Sequence, residues 1–185
     1  MRREHVYDPG FTNSSSELKR ILADGWGLSG GQCIDIPCGN GRNIFLLASY
    51  FQYVMGVDLN EAHLKTLEDS RLIYADVEGA ISTKKMDISA QIPEQTRQAD
   101  LITTIHYYNF SFASSIIAAM RPGAFFYMES PSCAGENYRD LPNEKEIAAL
   151  LTGMEVLLLK IRPCQCPGQS IKNVSFKALL KKSND

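Results

Sequence analysis

The chain lacks any run approaching the roughly 20 apolar residues that a membrane-spanning helix requires, and its opening MRREHVYDPGF has no apolar leader segment. A soluble, cytoplasmic protein is expected. Positive charge is not in surplus either, since 19 Lys and Arg stand against 21 Asp and Glu for a net charge of −2. With no basic field to hold a phosphate backbone, nucleic acid is a poor first candidate for a partner. The pairs Lys84-Lys85 and Lys181-Lys182 read as solvated faces. Five cysteines, an odd number, are scattered at positions 33, 38, 133, 164 and 166, and the three histidines His5, His63 and His106 lie far apart. Cys164-Gln-Cys166 finds no second pair at ligand spacing, so no metal site is expected. A chain of this size needs no disulfide staples, which fits a reducing compartment. Internal repeats and low-complexity segments are absent.

What is present is apolar residue enough, 44% of the chain, for one globular domain over residues 1–185, with residues 1–30 as an N-terminal lid and first helix. Ser14, Ser15 and Ser16 offer N-caps to a helix over Glu17 to Asp24. A strand from Gln32 to Ile36 precedes a helix from Asn43 to Phe51, with Ile44, Leu47, Ala48 and Phe51 on its buried side. Tyr53 to Val57 reads as a strand closed by Asp58, and Asn60 caps a helix to about Ser70. Beyond it, either that helix continues to about Glu78 or Arg71 to Asp76 is the next strand. Further strands at Asp100 to Ile105 and Ala124 to Met128 flank a helix from Phe112 to Met120. A helix capped by Asn143 runs to about Leu151, and EVLLLKI with SIKNVSFKALL forms a terminal hairpin around Pro163 to Gly168. Strands alternating with helices predict a parallel α/β sheet covered on both faces.

The informative segment is CIDIPCGNGRN, Cys33 to Asn43. An apolar strand enters an acid, then a Pro/Gly turn, then a helix whose first backbone N–H groups face any ligand, while Gly39 and Gly41 remove Cβ atoms from its approach. Asp35 selects the ligand, because a carboxylate in that turn repels a pyrophosphate and attracts a cationic amine and a sulfonium. A dinucleotide fingerprint from Gly39 also needs glycine or alanine at 44, where Ile44 stands. S-adenosylmethionine (SAM) is therefore expected before a nicotinamide cofactor.

Ligands of open α/β sheets lie across the C-terminal strand ends. Asp35 ends the first strand, and Asp58, 23 residues later, ends the second, where two oxygens can accept both ribose hydroxyls. Asp87 is the candidate acceptor for an adenine amino group, with Asp76 as its competitor. His106 ends the fourth strand, either as a packed ring at the ligand's edge or as a group receiving a proton from an acceptor. Tyr107, Tyr108 and Phe110 make an aromatic wall or core packing. Pro37 shapes the turn, and Cys38 lies beside the cofactor without an identifiable base to make it a nucleophile.

With DIPCGNGRN, GVDLN, MDIS, ADLITTIHYY, MRPGAFFYME and VSFKALLKK in this order, the chain resembles class I SAM-dependent methyltransferases, most of all the small tellurite-resistance type. The resemblance implies a Rossmann-like seven-stranded sheet of order 3-2-1-4-5-7-6 with strand 7 antiparallel and helices on both faces. It favours Asp87 over Asp76. It implies a cofactor site of Asp35, Pro37, Cys38, Gly39, Asn40, Gly41, Asp58, Leu59, Met86, Asp87, Ile88 and His106. Two departures stand out: Pro37 replaces the first glycine of the loop, and His106-Tyr-Tyr-Asn109 replaces the Asn/Asp-Pro-Pro-aromatic motif of enzymes that methylate base or amide nitrogens.

The expected activity is methyl transfer from SAM to a small-molecule acceptor, held among residues 5–11, 106–113 and 131–142. The rivals are a SAM-binding module without transfer, a methyltransferase acting on RNA or protein with a partner, and a nicotinamide oxidoreductase disfavoured by Ile44 and Asp35.

Overall fold

The computed structural model describes residues 14–71, 77–130, 141–164 and 173–184. In chain order the elements are α1 (Ser16–Ala23), β1 (Gln32–Asp35), α2 (Ile44–Ala48), β2 (Tyr53–Asp58), α3 (Glu61–Ser70), β3 (Ala80–Lys85), a 3₁₀ turn (Glu94–Arg97), β4 (Leu101–Ile105), α4 (Phe110–Ala119), β5 (Phe125–Glu129), α5 (Glu144–Leu151), β6 (Met154–Cys164) and β7 (Asn173–Lys182). The strands form one sheet of order β3-β2-β1-β4-β5-β7-β6. β7 runs antiparallel to β5 and β6, and the remaining pairs are parallel. This is the Rossmann-like order, with β7 antiparallel, that the sequence led us to expect. No helix among the described residues is long and apolar enough to cross a membrane.

Neighbouring residues of each central strand point to opposite faces, which explains why these strands are apolar throughout rather than alternating. Ile34, Ile102 and Phe126 face α4 and α5, packing with Phe112, Ile116, Ile147 and Leu150. Cys33, Leu101 and Tyr127 face the other layer, with Leu18 and Ile21 of α1, Ile44 and Leu47 of α2, and Leu64 and Leu67 of α3. Each fully buried Leu or Ile contributes about 1.5–3 kcal/mol, so these layers hold the strand ends rigidly where the site is built.

Helix ends follow the polar caps in the sequence. Ser15 Oγ accepts from the Leu18 amide, Asn60 from Ala62 and Asn109 from Phe112, and Asn143 with Glu146 completes a capping box. Because Asn109 is the cap, α4 begins at Phe110, before the expected Phe112.

The third strand corrects the sequence expectation. α3 stops at Ser70, and the strand paired with β2 is Ala80–Lys85, in register Tyr53↔Ala80 through Asp58↔Lys85. The helix alternative, to about Glu78, is therefore corrected, while the other, a strand over Arg71 to Asp76, falls on the apolar LIYAD, residues 72–76, which lies outside the described residues. β3 is the outer strand, half-exposed and polar, so it lacks the apolar signature of a central strand.

Candidate active site

Strand order reverses between β1 and β4, where β1 ends two residues short of β2 and β4 while β4 and β5 end level. Asp35 stands beside Gly56 and Thr103, while Ile105 stands beside Glu129. A cleft of about 690 Å³ opens over this point, lined by Pro37 to Asn43, Phe45, Asp58, His63, Thr66, Ser70, Ile105 and His106. The position is the one open α/β sheets use for ligands.

The glycine turn makes the cleft floor. Gly39 and Gly41 adopt φ of +53° and +82°, a left-handed backbone that side-chain-bearing residues rarely take. A Cβ on Gly41 would meet Leu67 of α3 at 2.5 Å, so this glycine also permits the helix to pack against the turn. The Ile36–Pro37 peptide is cis.

Asp35 lies beneath the floor, 1% exposed. Its Oδ1 accepts from the Thr103 hydroxyl at 2.6 Å, while Oδ2 has no hydrogen-bond partner among the described residues. Burial pushes this carboxyl up to about 7, against the pull of the Thr103 hydroxyl and the Arg42 charge, and the Asp58 charge adds to the push. An open lone pair on a buried acid is a poor state alone and a good one beneath a bound cation.

Asp58 is also buried, and its two oxygens are both engaged. Oδ2 accepts the Gly39 amide and Oδ1 the Asn60 amide, each at 2.8 Å, with His63 Nδ1 3.6 Å from Oδ1. Each oxygen keeps acceptor capacity for a hydroxyl. Cys38 lines the cleft as a neutral thiol, because burial and the Asp35 and Asp58 charges push its pKa far up.

His106 lines the cleft in a left-handed conformation, φ +59°. Glu129, at the end of β5, was missed in the sequence, although it has the same signal as Asp35 and Asp58, an acid directly after an apolar strand. It lies 3.3 Å from His106 Nε2. Arg42, Asn43, His63, Thr66 and Ser70 are further cleft residues that strand-end reasoning could not reach, because they sit on or before helices.

The adenine-side candidates are not drawn into this cleft. Asp87 is exposed and its Oδ1 accepts from the Ser89 amide and hydroxyl, which lowers its pKa. Met86 is buried, Ile88 packs at the edge of the core, and Leu59 is exposed beside Asp58. Tyr108 belongs to the core, edge-on to Phe176, and its hydroxyl donates to Glu146. Residues 5–11 and 131–140, expected around an acceptor, lie outside the described residues.

A family model described as RNA cap guanine-N2 methyltransferase matches residues 30–139, well over half of the chain. The chain belongs to this methyltransferase family. No curated protein matches the methyltransferase. Among solved structures, it is similar to a SAM-dependent methyltransferase from Methanosarcina mazei, with 18% identity, a TM-score of 0.63, and 85% of this chain and 94% of that one covered. It is likewise similar to TehB from Haemophilus influenzae, at 18% identity and TM-score 0.64, over 91% of this chain and 64% of that one. A third likeness is to magnesium protoporphyrin IX methyltransferase from Synechocystis, solved with bound SAM, at 14% identity and TM-score 0.67, over 94% and 80%. Identities this low speak to the shared fold.

Proposed function

We propose that the methyltransferase transfers a methyl group from SAM to a small-molecule acceptor in the cytoplasm, with the whole chain acting as one catalytic domain. The observation that carries this reading is the buried Asp35 carboxyl, one oxygen open, under a cleft of about 690 Å³ that holds a second carboxylate, Asp58. The residues fit a cationic ligand: Asp58 in the lining, Asp35 beneath it and a glycine-bared backbone, two acids against the single arginine, Arg42, among the described lining residues. When bound, SAM supplies a methyl group already activated on a sulfonium, so the protein's work is positioning.

In this reading Asp35 draws the donor's ammonium end, and Pro37, Cys38, Gly39, Asn40 and Gly41 border it. Asp58 receives ribose hydroxyls, with Leu59 beside it. The adenine extends past Asp58, beyond the cleft described above, to Met86, Asp87 and Ile88, where the Met86 amide donates to the Asp58 carbonyl. His106, at the acceptor edge, receives a proton. The order of motifs supports a relation to the tellurite-resistance type.

The family description favours a second reading, in which the acceptor is a guanine nitrogen of an RNA cap. The net charge of −2 and His106-Tyr-Tyr-Asn109 in place of the nitrogen-methylating motif weigh toward the first.

Calorimetry with SAM and NAD, followed by labelled SAM with thiols, phenols, selenite, tellurite and a capped RNA oligonucleotide, tests both. SAM binding with label on a small molecule is expected. Label on the capped RNA alone would move the assignment to the second reading. SAM binding without any product would leave a binding module, and no SAM binding would end the proposal.

A further inference from the structure

We infer that Glu129 is a positioning residue for His106, holding Nε2 toward its carboxylate so that Nδ1 takes a proton from the acceptor, which is therefore a neutral, proton-bearing oxygen, sulfur or nitrogen nucleophile. The inference rests on the methyltransferase reading above.

Glu129 is 6% exposed and surrounded by donors from four directions. Ser15 Oγ and Tyr127 Oη donate to Oε2 at 2.6 and 2.9 Å. Lys177 Nζ lies 2.8 Å from Oε1 and His106 Nε2 3.3 Å from the same oxygen. Two hydroxyls hold Oε2 by hydrogen bonds while an ammonium and an imidazole nitrogen close on Oε1, so the group cannot turn without losing a contact. Burial pushes its pKa up, but the hydrogen bonds from His106, Lys177, Ser15 and Tyr127 outweigh burial and hold it well below the usual range. The carboxylate therefore stays ionised behind the imidazole.

The backbone is arranged for the same contact. The His106 amide donates to the Glu129 carbonyl at 2.7 Å, and the residue sits at φ +59°. That conformation costs a non-glycine residue about 1–2 kcal/mol and persists where surroundings impose it, most often at functional sites. Here it keeps the ring on the cleft wall, half-exposed, while one nitrogen reaches back to β5.

With the Nε2 proton directed at Oε1, the ring's lone pair is on Nδ1. As the acceptor's lone pair forms the new bond to carbon and the donor's carbon–sulfur pair returns to sulfur, the acceptor's proton passes to Nδ1. The resulting imidazolium lies against a carboxylate and afterwards loses its proton to water. The charged groups around this pair are Lys177 from β7 on the carboxylate side, and Asp58, His63 and Arg42 in the cleft. An acceptor that is already an oxyanion has no use for this relay.

The test reads the imidazole directly. Long-range ¹H–¹⁵N spectra of the histidine rings in labelled protein identify His106 by its loss in His106→Ala, which three histidines make practical. Expected is an Nε2–H tautomer for His106 in the wild type and a mixture in Glu129→Gln. SAM affinity by calorimetry should stay within about twofold in Glu129→Gln, while kcat for a thiol or phenol acceptor falls about tenfold or more with KM for SAM unchanged. An Nδ1–H tautomer in the wild type overturns the inference even if the variant fails to fold. So does an unchanged kcat in Glu129→Gln. If the wild type shows the Nε2–H tautomer yet methylates no acceptor, the methyl-transfer reading fails while the Glu129–His106 geometry stands.

Discussion

The Asp58 carboxylate accepts the Gly39 amide at 2.8 Å, tying the end of β2 to the turn that follows β1. Its other oxygen accepts the Asn60 amide at the cap of α3, so one side chain fixes three segments around the cleft. Charge-assisted bonds of this kind are worth about 1.5–3 kcal/mol each. Asp58→Ala should weaken SAM binding by about 30-fold or more and lower the melting temperature. Asp58→Asn, which keeps one acceptor oxygen, should lose less of both. Calorimetry and thermal unfolding of the two variants check this, and equal SAM affinity in Asp58→Ala would remove Asp58 from the site.

Asp35 gives the protein a pH dependence of unusual sign for an acid. Burial raises its folded pKa to about 7 from the ordinary 3.8, so between those values the folded state holds a proton that the unfolded state has lost. Ligand-free stability therefore falls as pH rises from about 4 to 7, by up to about 4 kcal/mol at this site. Asp35→Asn should abolish that part of the slope. SAM binding should run oppositely in the wild type, tightening from pH 6 to 8 as the carboxylate forms. Paired melting curves and calorimetric titrations across this range check both, and parallel pH profiles in the two proteins would contradict the assignment.

Gly41 separates two reasons for needing glycine. Gly41→Ala meets both an unfavourable φ of +82° and a clash with Leu67 at 2.5 Å, whereas a Cβ on Gly39, φ +53°, enters open space. Gly41→Ala should cost about 2–4 kcal/mol and Gly39→Ala about 1–2 kcal/mol. Leu67→Ala leaves a cavity alone but relieves the clash, so the Gly41→Ala/Leu67→Ala pair should be less destabilised than the sum. Denaturant unfolding of the four proteins measures the coupling.

The parts of the fold that were legible in the sequence are those where local chemistry and burial agree. β1, β2, β4 and β5 are short apolar runs ended by an acid or a turn, and the Ser15, Asn60 and Asn143 caps mark helix starts. β3 failed that rule because an outer strand is stabilised by pairing with β2 more than by its own side chains. Its signal was the residue before it. A Cβ on Gly79 would collide with the Phe51 and Ala48 carbonyls, so glycine alone lets the chain pass the end of α2 and enter the sheet. The cleft was legible at Asp35, the glycine turn, Asp58 and His106, because strand ends converge by topology. Lys177 was not, since it arrives from β7, 48 positions after Glu129 and antiparallel to it.

Ser15 joins that same cluster from the other end of the chain, and its double duty sets the last expectation. Its Oγ caps α1 by accepting from Leu18 and also donates to Glu129 Oε2 at 2.6 Å, while its amide donates to Asn43 at 3.0 Å. An ordinary N-cap loss costs about 1 kcal/mol. Ser15→Ala should cost more, about 2–3 kcal/mol, because a buried carboxylate oxygen also loses a donor. Tyr127→Phe removes the other donor to Oε2 without touching a cap, so it isolates the carboxylate share. If Glu129 couples α1 to β5, the Ser15→Ala penalty should shrink in a Glu129→Gln background, and a double-mutant cycle by denaturant unfolding measures the difference. Additive penalties would mean that Ser15 acts as a helix cap alone.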